Sequence, residues 1–342
     1  MIRTRLASPL LEFLRQETTG GRLLLLATAV ALLWANLAGG SYDQLWNTTL
    51  AIGPAWLHLD LTLATWVGDG VLALFFFVAG LEVKRELTVG ELAGWRAAAL
   101  PLAAAVGGMV VPAVLALSVS RGAAAEGGAW AVPVATDIAF ALGVLALVGS
   151  ALPSGVRLLL LSMAVIDDLG AIGLVAALFT HDLHWGWLLA GVVLCLGYGY
   201  AQRRRWNWWW LLVPLALAAW VCVHASGVHA TVTGIALGLL TPVRTVRGET
   251  ESPCERLEHT LHPWSAGVVV PLFALAAAGI PLAAAGAAFT DPVSQGIMAG
   301  LLLGKVAGIV AGVWLALRLR LGTLPDGVGW GEVVPVAVLG GI

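Results

Sequence analysis

The stretch Leu158-Leu-Leu-Leu-Ser-Met-Ala-Val-Ile-Asp167-Asp168-Leu-Gly-Ala-Ile-Gly-Leu-Val175 places two adjacent carboxylic acids in the middle of an apolar run. Three more charged residues, Asp69, Asp137 and Lys305, sit in runs of the same kind. A charge at a bilayer centre costs roughly 2.5–3.5 kcal/mol on insertion scales, so five cost about 12–18 kcal/mol at face value. A chain keeps such groups only where they pair with one another or line a wet pathway. Movement of an ion or a proton is therefore the first functional reading.

The composition agrees. The chain has 342 residues, of which 59% are hydrophobic and 11% charged. Its mean hydropathy is +0.91. A soluble domain carries about 25% charged residues, so the bilayer is the solvent here. Cys195 and Cys222 lie in apolar runs and Cys254 in a polar loop, and no disulfide is expected from them. The first apolar run, Leu23 to Leu37, follows an Arg-bearing segment and has no small-residue cleavage pattern. It reads as a retained span.

Ten segments have membrane length: 22–38, 62–82, 97–119, 130–149, 156–179, 185–201, 208–224, 227–241, 264–280 and 293–317. An eleventh, 333–342, stops after ten residues, about half a bilayer as helix, which suggests a truncated form of a longer protein. If each segment crosses once, sixteen basic residues fall on one side and only Arg121 on the other, with Lys305 left inside a span. The positive-inside rule then places the N-terminus in the cytoplasm. Residues 3–16 could lie along that surface. In the outward loop 41–61, the Gly53-Pro54 turn and the period-two run Leu57 to Leu61 point to a short β-hairpin. Its edge could pair with a second copy, giving a homodimer. No nucleic-acid partner is expected. A single membrane transport domain, 1–342, is the expected organisation.

Two proline-interrupted segments carry the same tetrapeptide, Val-Pro-Val-Ala, at 132–135 and 334–337. Pro133 removes a backbone donor and kinks or breaks its helix, which frees carbonyls near Thr136 and Asp137. Interruptions at matching places in two halves point to a transporter binding site. Carboxylate, threonine hydroxyl and freed carbonyls are hard oxygen donors, suited to hard cations rather than soft transition metals. Asp167 and Asp168 point about 100° apart on a helix, so one can line a cavity while the other meets a different helix. That geometry argues against an aspartyl protease dyad, as does the absence of a Gly-x-Gly-Asp string. The remaining alternatives are another monovalent-cation or organic-anion carrier, or a non-transporting assembly subunit.

Asp-Ile-Ala-Phe-Ala-Leu-Gly at 137–143, Ile-Asp-Asp-Leu-Gly-Ala-Ile at 166–172 and Gly-Leu-Glu-Val-Lys-Arg-Glu at 80–86 resemble NhaA-type sodium/proton antiporters. So do Ser-Gly-Val-His-Ala-Thr at 226–231, Arg-Leu-Glu-His-Thr-Leu-His-Pro-Trp at 256–264 and Gly-Lys at 304–305. The resemblance implies an all-α polytopic bundle of twelve helices with inverted repeats, whose fourth and eleventh helices are broken and cross at midplane. Against that pattern this chain lacks the second half of span eleven and all of span twelve. The resemblance further implies a secondary active transporter, not an enzyme, in a bacterial inner membrane. It would exchange Na+ or Li+ for H+ without a cofactor, electrogenically and under pH control. It assigns Asp167 and Asp168 to the cation and proton site, and Lys305 as partner of Asp167 when sodium is absent. Thr136 and Asp137 would sit at the helix crossing. Glu82, Arg85, Glu258, His259 and His262 would form a cytoplasmic, pH-responsive entrance. His229 reads as a packing residue, and Asp69 as either a packed acid or part of the pathway.

Overall fold

Inside a bilayer no water bonds the backbone, so a chain this apolar must satisfy its amides and carbonyls within helices. The computed structural model describes residues 17–90, 94–134, 136, 141, 153–178, 183–246, 248–325 and 327–341, and most side chains among them. Asp137 and the segment 3–16 fall outside those residues, and so does the side chain of Asp168.

The protein is an all-α polytopic membrane protein. Helices α1 (Glu17–Leu37) and α2 (Gly39–Trp46) precede a two-stranded ribbon, β1 (Thr49–Ala51) and β2 (Asp60–Thr62). Then follow α3 (Leu63–Thr88), α4 (Trp95–Val119), a 3-10 segment (Ala123–Val134) and α5 (Ser154–Leu178). Next are α6 (Trp185–Arg203), α7 (Trp209–Ala225), α8 (Thr231–Leu240), α9 (Pro253–Ala277), α10 (Pro292–Arg318) and α11 (Trp330–Leu339). Among the described residues, five helices are long and apolar enough to cross a membrane: α1, α3, α4, α9 and α10. Leucines 26, 33 and 37 of α1 and 302 and 303 of α10 are exposed, as suits an outer surface solvated by lipid tails.

One expectation needs correction. The polar stretch before residue 264 reads as loop, yet α9 begins at Pro253. Ser252 accepts from the Glu255 N–H while the Glu255 carboxylate accepts from the Ser252 N–H, and Pro253 occupies the first turn. This capping box fixes the helix start where hydropathy gives no signal.

The chain divides into two compact units. The first comprises Met1–Arg85 and Thr180–Pro281. Here α1 packs on the last turns of α9, and the Tyr42 hydroxyl lies 2.9 and 2.8 Å from the carbonyls of Leu275 and Ala276. The ribbon is antiparallel with Thr49 opposite Thr62, and Trp66 donates from its indole N–H to the Leu50 carbonyl at 2.9 Å. Helix α3 lies against α8 so closely that a Cβ on Gly80 would stand 2.7 Å from the Ile235 carbonyl oxygen.

The second unit comprises Glu86–Phe179 and Leu282–Ile342. Its core joins Leu100, Leu159, Leu160, Met163, Ile309, Val313, Val333 and Val336 from α4, α5, α10 and α11. Helix α10 is not uniform: Gly300–Lys305 forms a π-helical turn within it. Similar turns occupy Trp66–Val71 of α3 and Ser265–Val269 of α9. Such turns are rare and are frequently found at functional positions.

Candidate functional site

The π-turn of α10 ends on Lys305, whose side chain is completely buried. Its ammonium lies 2.8 Å from Asp167 Oδ2 and donates as well to the Val134 carbonyl. Asp167, midway along α5, is 1% exposed. Thr136, just past the 3-10 segment, is 5% exposed, with its hydroxyl 2.6 Å from Asp167 Oδ2 and 3.0 Å from the Gly340 carbonyl at the end of α11. Elements far apart in sequence therefore converge on one carboxylate, all within the second unit.

The pairing has a clear electrostatic basis. Each ion alone would lose several kcal/mol of hydration on burial, and together they offset part of that loss. Lys305 adds a backbone carbonyl that the irregular backbone after Pro133 leaves outside a regular helix. The satisfaction is incomplete: Asp167 Oδ1 is buried and has no hydrogen-bond partner among the described residues. A buried acceptor left open costs about 1–3 kcal/mol and calls for a ligand or a function. Thr136 has one hydroxyl proton for two acceptors, so it can serve Asp167 or Gly340 but not both at once.

Of the residues singled out by sequence, Thr136, Asp167 and Lys305 are brought together. Asp168 follows Asp167 on α5, and Asp137 lies outside the described residues. Asp69 lies in the π-turn of α3, where its carbonyl accepts from the Trp220 indole at 2.8 Å.

A second polar group lies in the first unit. Arg85 Nη1 meets Glu258 Oε1 at 2.7 Å. His262 Nε2 stands 3.9 Å from Glu82 Oε1, and His259 Nδ1 stands 3.8 Å from Glu251 Oε1. Glu251, not among the residues picked from sequence, is thus the neighbour of His259. Two other partners escape sequence reasoning. The carbonyls of Val134 and Gly340 belong to apolar residues, and only the nearby Pro133 and Pro335 hinted at them.

The family model described as Na+/H+ antiporter 1 matches residues 11–342. The chain is similar to the Na(+)/H(+) antiporter NhaA 1 of Saccharopolyspora erythraea, 53% identical over 97% of this chain and 81% of that protein. It is 54% identical to the Na(+)/H(+) antiporter NhaA of Nocardia farcinica over 99% of this chain and 82% of that protein. It is also 53% identical to the NhaA 2 antiporter of Rhodococcus jostii over 98% of this chain. A family model that spans residues 11–342 and relatives about half identical along almost the whole sequence show that the chain belongs to the Na+/H+ antiporter 1 family, whose members are secondary transporters and not enzymes.

Proposed function

We propose that the protein exchanges cytoplasmic Na+, or Li+, for external H+ across a bacterial inner membrane, and that Asp167 and Asp168 hold the exchanged ions. The observation that carries this reading is Asp167 itself: buried, paired with Lys305, and with Oδ1 unpartnered among the described residues. Sodium and protons compete for the same oxygens, and this competition couples their movements.

Thr136 supplies a hydroxyl that fits either occupant. With Asp167 ionised, Thr136 donates to it at 2.6 Å. With Asp167 protonated, the acid can donate to the Thr136 oxygen, and the Thr136 proton turns to the Gly340 carbonyl at 3.0 Å. With sodium present, the hydroxyl oxygen and the open Oδ1 are hard donors of the kind an alkali ion takes. Asp137, by family likeness, offsets the positive helix ends at a crossing of broken helices. The approach of Thr136 to the end of α11 supports such a crossing.

Exchange of more protons than cations makes transport electrogenic, worth about 2.3 kcal/mol per net charge at 100 mV. Glu82, Arg85, Glu258, His259 and His262 are assigned, by family likeness, to the pH-responsive cytoplasmic entrance. The ribbon of β1 and β2 is assigned to a homodimer contact, and intact-mass measurement in mild detergent should show dimers; monomer alone would remove that assignment.

The functional test uses the whole chain in proteoliposomes carrying a pH dye. A sodium pulse should release protons from the native protein. Asp168→Asn should reduce release to the level of empty vesicles, and undiminished release would take Asp168 out of the mechanism.

A further inference from the structure

Helix α10 carries glycine at every fourth position: Gly296, Gly300, Gly304, Gly308 and Gly312. All five face α4, which runs the opposite way. A Cβ on Gly296 would stand 2.6 Å from the Ala116 carbonyl oxygen, and one on Gly304 would stand 2.7 Å from Pro112 Cα. On Gly300 it would meet Pro133 Cγ at 2.9 Å and the Pro112 oxygen at 3.0 Å. On Gly308 and Gly312 it would fall on the carbonyls of Gly107 and Ala103. Two membrane helices that share no hydrophobic drive toward each other gain most from such close backbone contact.

A period of four does not suit an ideal helix. Residues turn about 100° each, so positions sixteen apart end up about 160° apart around the axis. Gly296 and Gly312 would then face different neighbours. The π-turn Gly300–Lys305 lies in the middle of the series. By fitting one extra residue into a turn it removes roughly one residue of rotation, ~100°, and returns both ends of the glycine row to α4. The same turn ends on Lys305, next to Gly304. Gly304 rests on Pro112, and Gly300 rests on Pro133, the residue before the Val134 carbonyl that accepts from Lys305.

We infer that Gly304, with Gly300, is a positioning residue for exchange: the glycine row and its π-turn fix the azimuth of α10 that brings the Lys305 ammonium onto Asp167. The inference rests on the Asp167 reading given above. A methyl group at Gly304 must push α10 away from Pro112, and the ammonium moves with it.

The test is Gly304→Ala in the full chain, with exchange measured against pH in proteoliposomes, alone and combined with Lys305→Ala. The half-maximal pH should move by about half a unit or more when Lys305 is present. It should not move further when Lys305 is already alanine. A lower maximal rate with an unmoved pH profile, or an equal shift in both backgrounds, overturns the inference. If Gly304→Ala does not reach the membrane folded, Gly300→Ala, which meets only a proline ring and one carbonyl, is judged by the same criteria. A second readout does not depend on transport. The chain has two lysines, Lys84 and Lys305. Acylation by a membrane-permeant amine reagent, read by mass spectrometry as the Lys305 to Lys84 ratio, should rise several-fold in Gly304→Ala. If the native protein exchanges no sodium, the exchange reading fails on its own and this ratio alone decides: a rise supports positioning by Gly304, and an unchanged ratio overturns it.

Discussion

Two groups of acids and bases stand in this chain, and they differ in how completely water is excluded. The Lys305–Asp167 side chains are 1% and 2% exposed and 2.8 Å apart. Those of His259 and Glu251 are 62% and 52% exposed and 3.8 Å apart. Similar residue types therefore have very different energetic stakes. In the dry group, removal of one partner strands a charge, and occupancy by a proton or a cation changes the whole local balance. In the wet group, solvent screens each charge, so loss of either partner strands little. Arg85 and Glu258 lie between these limits, at 32% and 10% exposure.

The largest effects should come from the dry pair. Asp167→Ala removes the carboxylate that the buried Lys305 ammonium meets at 2.8 Å, and loss of one partner of a buried pair costs about 3–5 kcal/mol. Thermal unfolding in detergent should register the loss, and exchange should vanish. The double variant Asp167→Asn with Lys305→Gln removes both charges while keeping the shapes. It should recover most of the stability and none of the exchange; recovered exchange would reduce the pair to a structural tie. Lys305→Ala alone should displace the pH profile of exchange or abolish its electrogenicity, and an unaltered profile would count against the pairing.

The intermediate contact should give an intermediate result. Arg85→Ala should cost about 1 kcal/mol and move the pH profile of exchange without abolishing it. A complete loss would place this pair among the dry group instead. For the wet contact, His259→Gln should leave stability within about 0.5 kcal/mol and move the pH profile of exchange less than Arg85→Ala does; an unmoved profile would take His259 out of the entrance.

The smallest effect concerns a fully exposed carboxylate. Asp291 caps α10 by accepting from the Ser294 N–H at 2.6 Å, and that bond, with a second from the Ser294 hydroxyl, holds its carboxyl below the usual range. Its folded-state acidity is the stronger, so the cap contributes above the unfolded carboxylate's range and is lost as pH falls through the folded value. Asp291→Ala should lower the melting temperature slightly near neutral pH, and the difference from the native chain should close in acid. A difference that persists in acid would assign it to something other than the carboxylate.

Hydropathy locates apolar runs because transfer into lipid is what those runs share, and Leu63–Thr88 and Pro292–Arg318 are legible in that way. It is blind to Pro253–Trp264, which is helical for a local reason, its capping box. The glycine series from 296 to 312 was equally visible as letters. Its meaning depends on the π-turn, which has no composition of its own. The candidate site was legible in its charged members, since an acid in an apolar run is conspicuous whatever surrounds it. The Val134 and Gly340 carbonyls were not, because every residue has one.

From the sequence alone came the solvent and the class of structure: so few charges over so many apolar residues leave only lipid-exposed helices that satisfy their own backbone. It also named the intramembrane acids and the lysine, since their cost in hydrocarbon demands partners. Which atoms meet was decided by tertiary structure. Helix azimuth, set by close backbone packing and one widened turn, brings Lys305 to Asp167, and such angles depend on how helices touch rather than on the order of their residues.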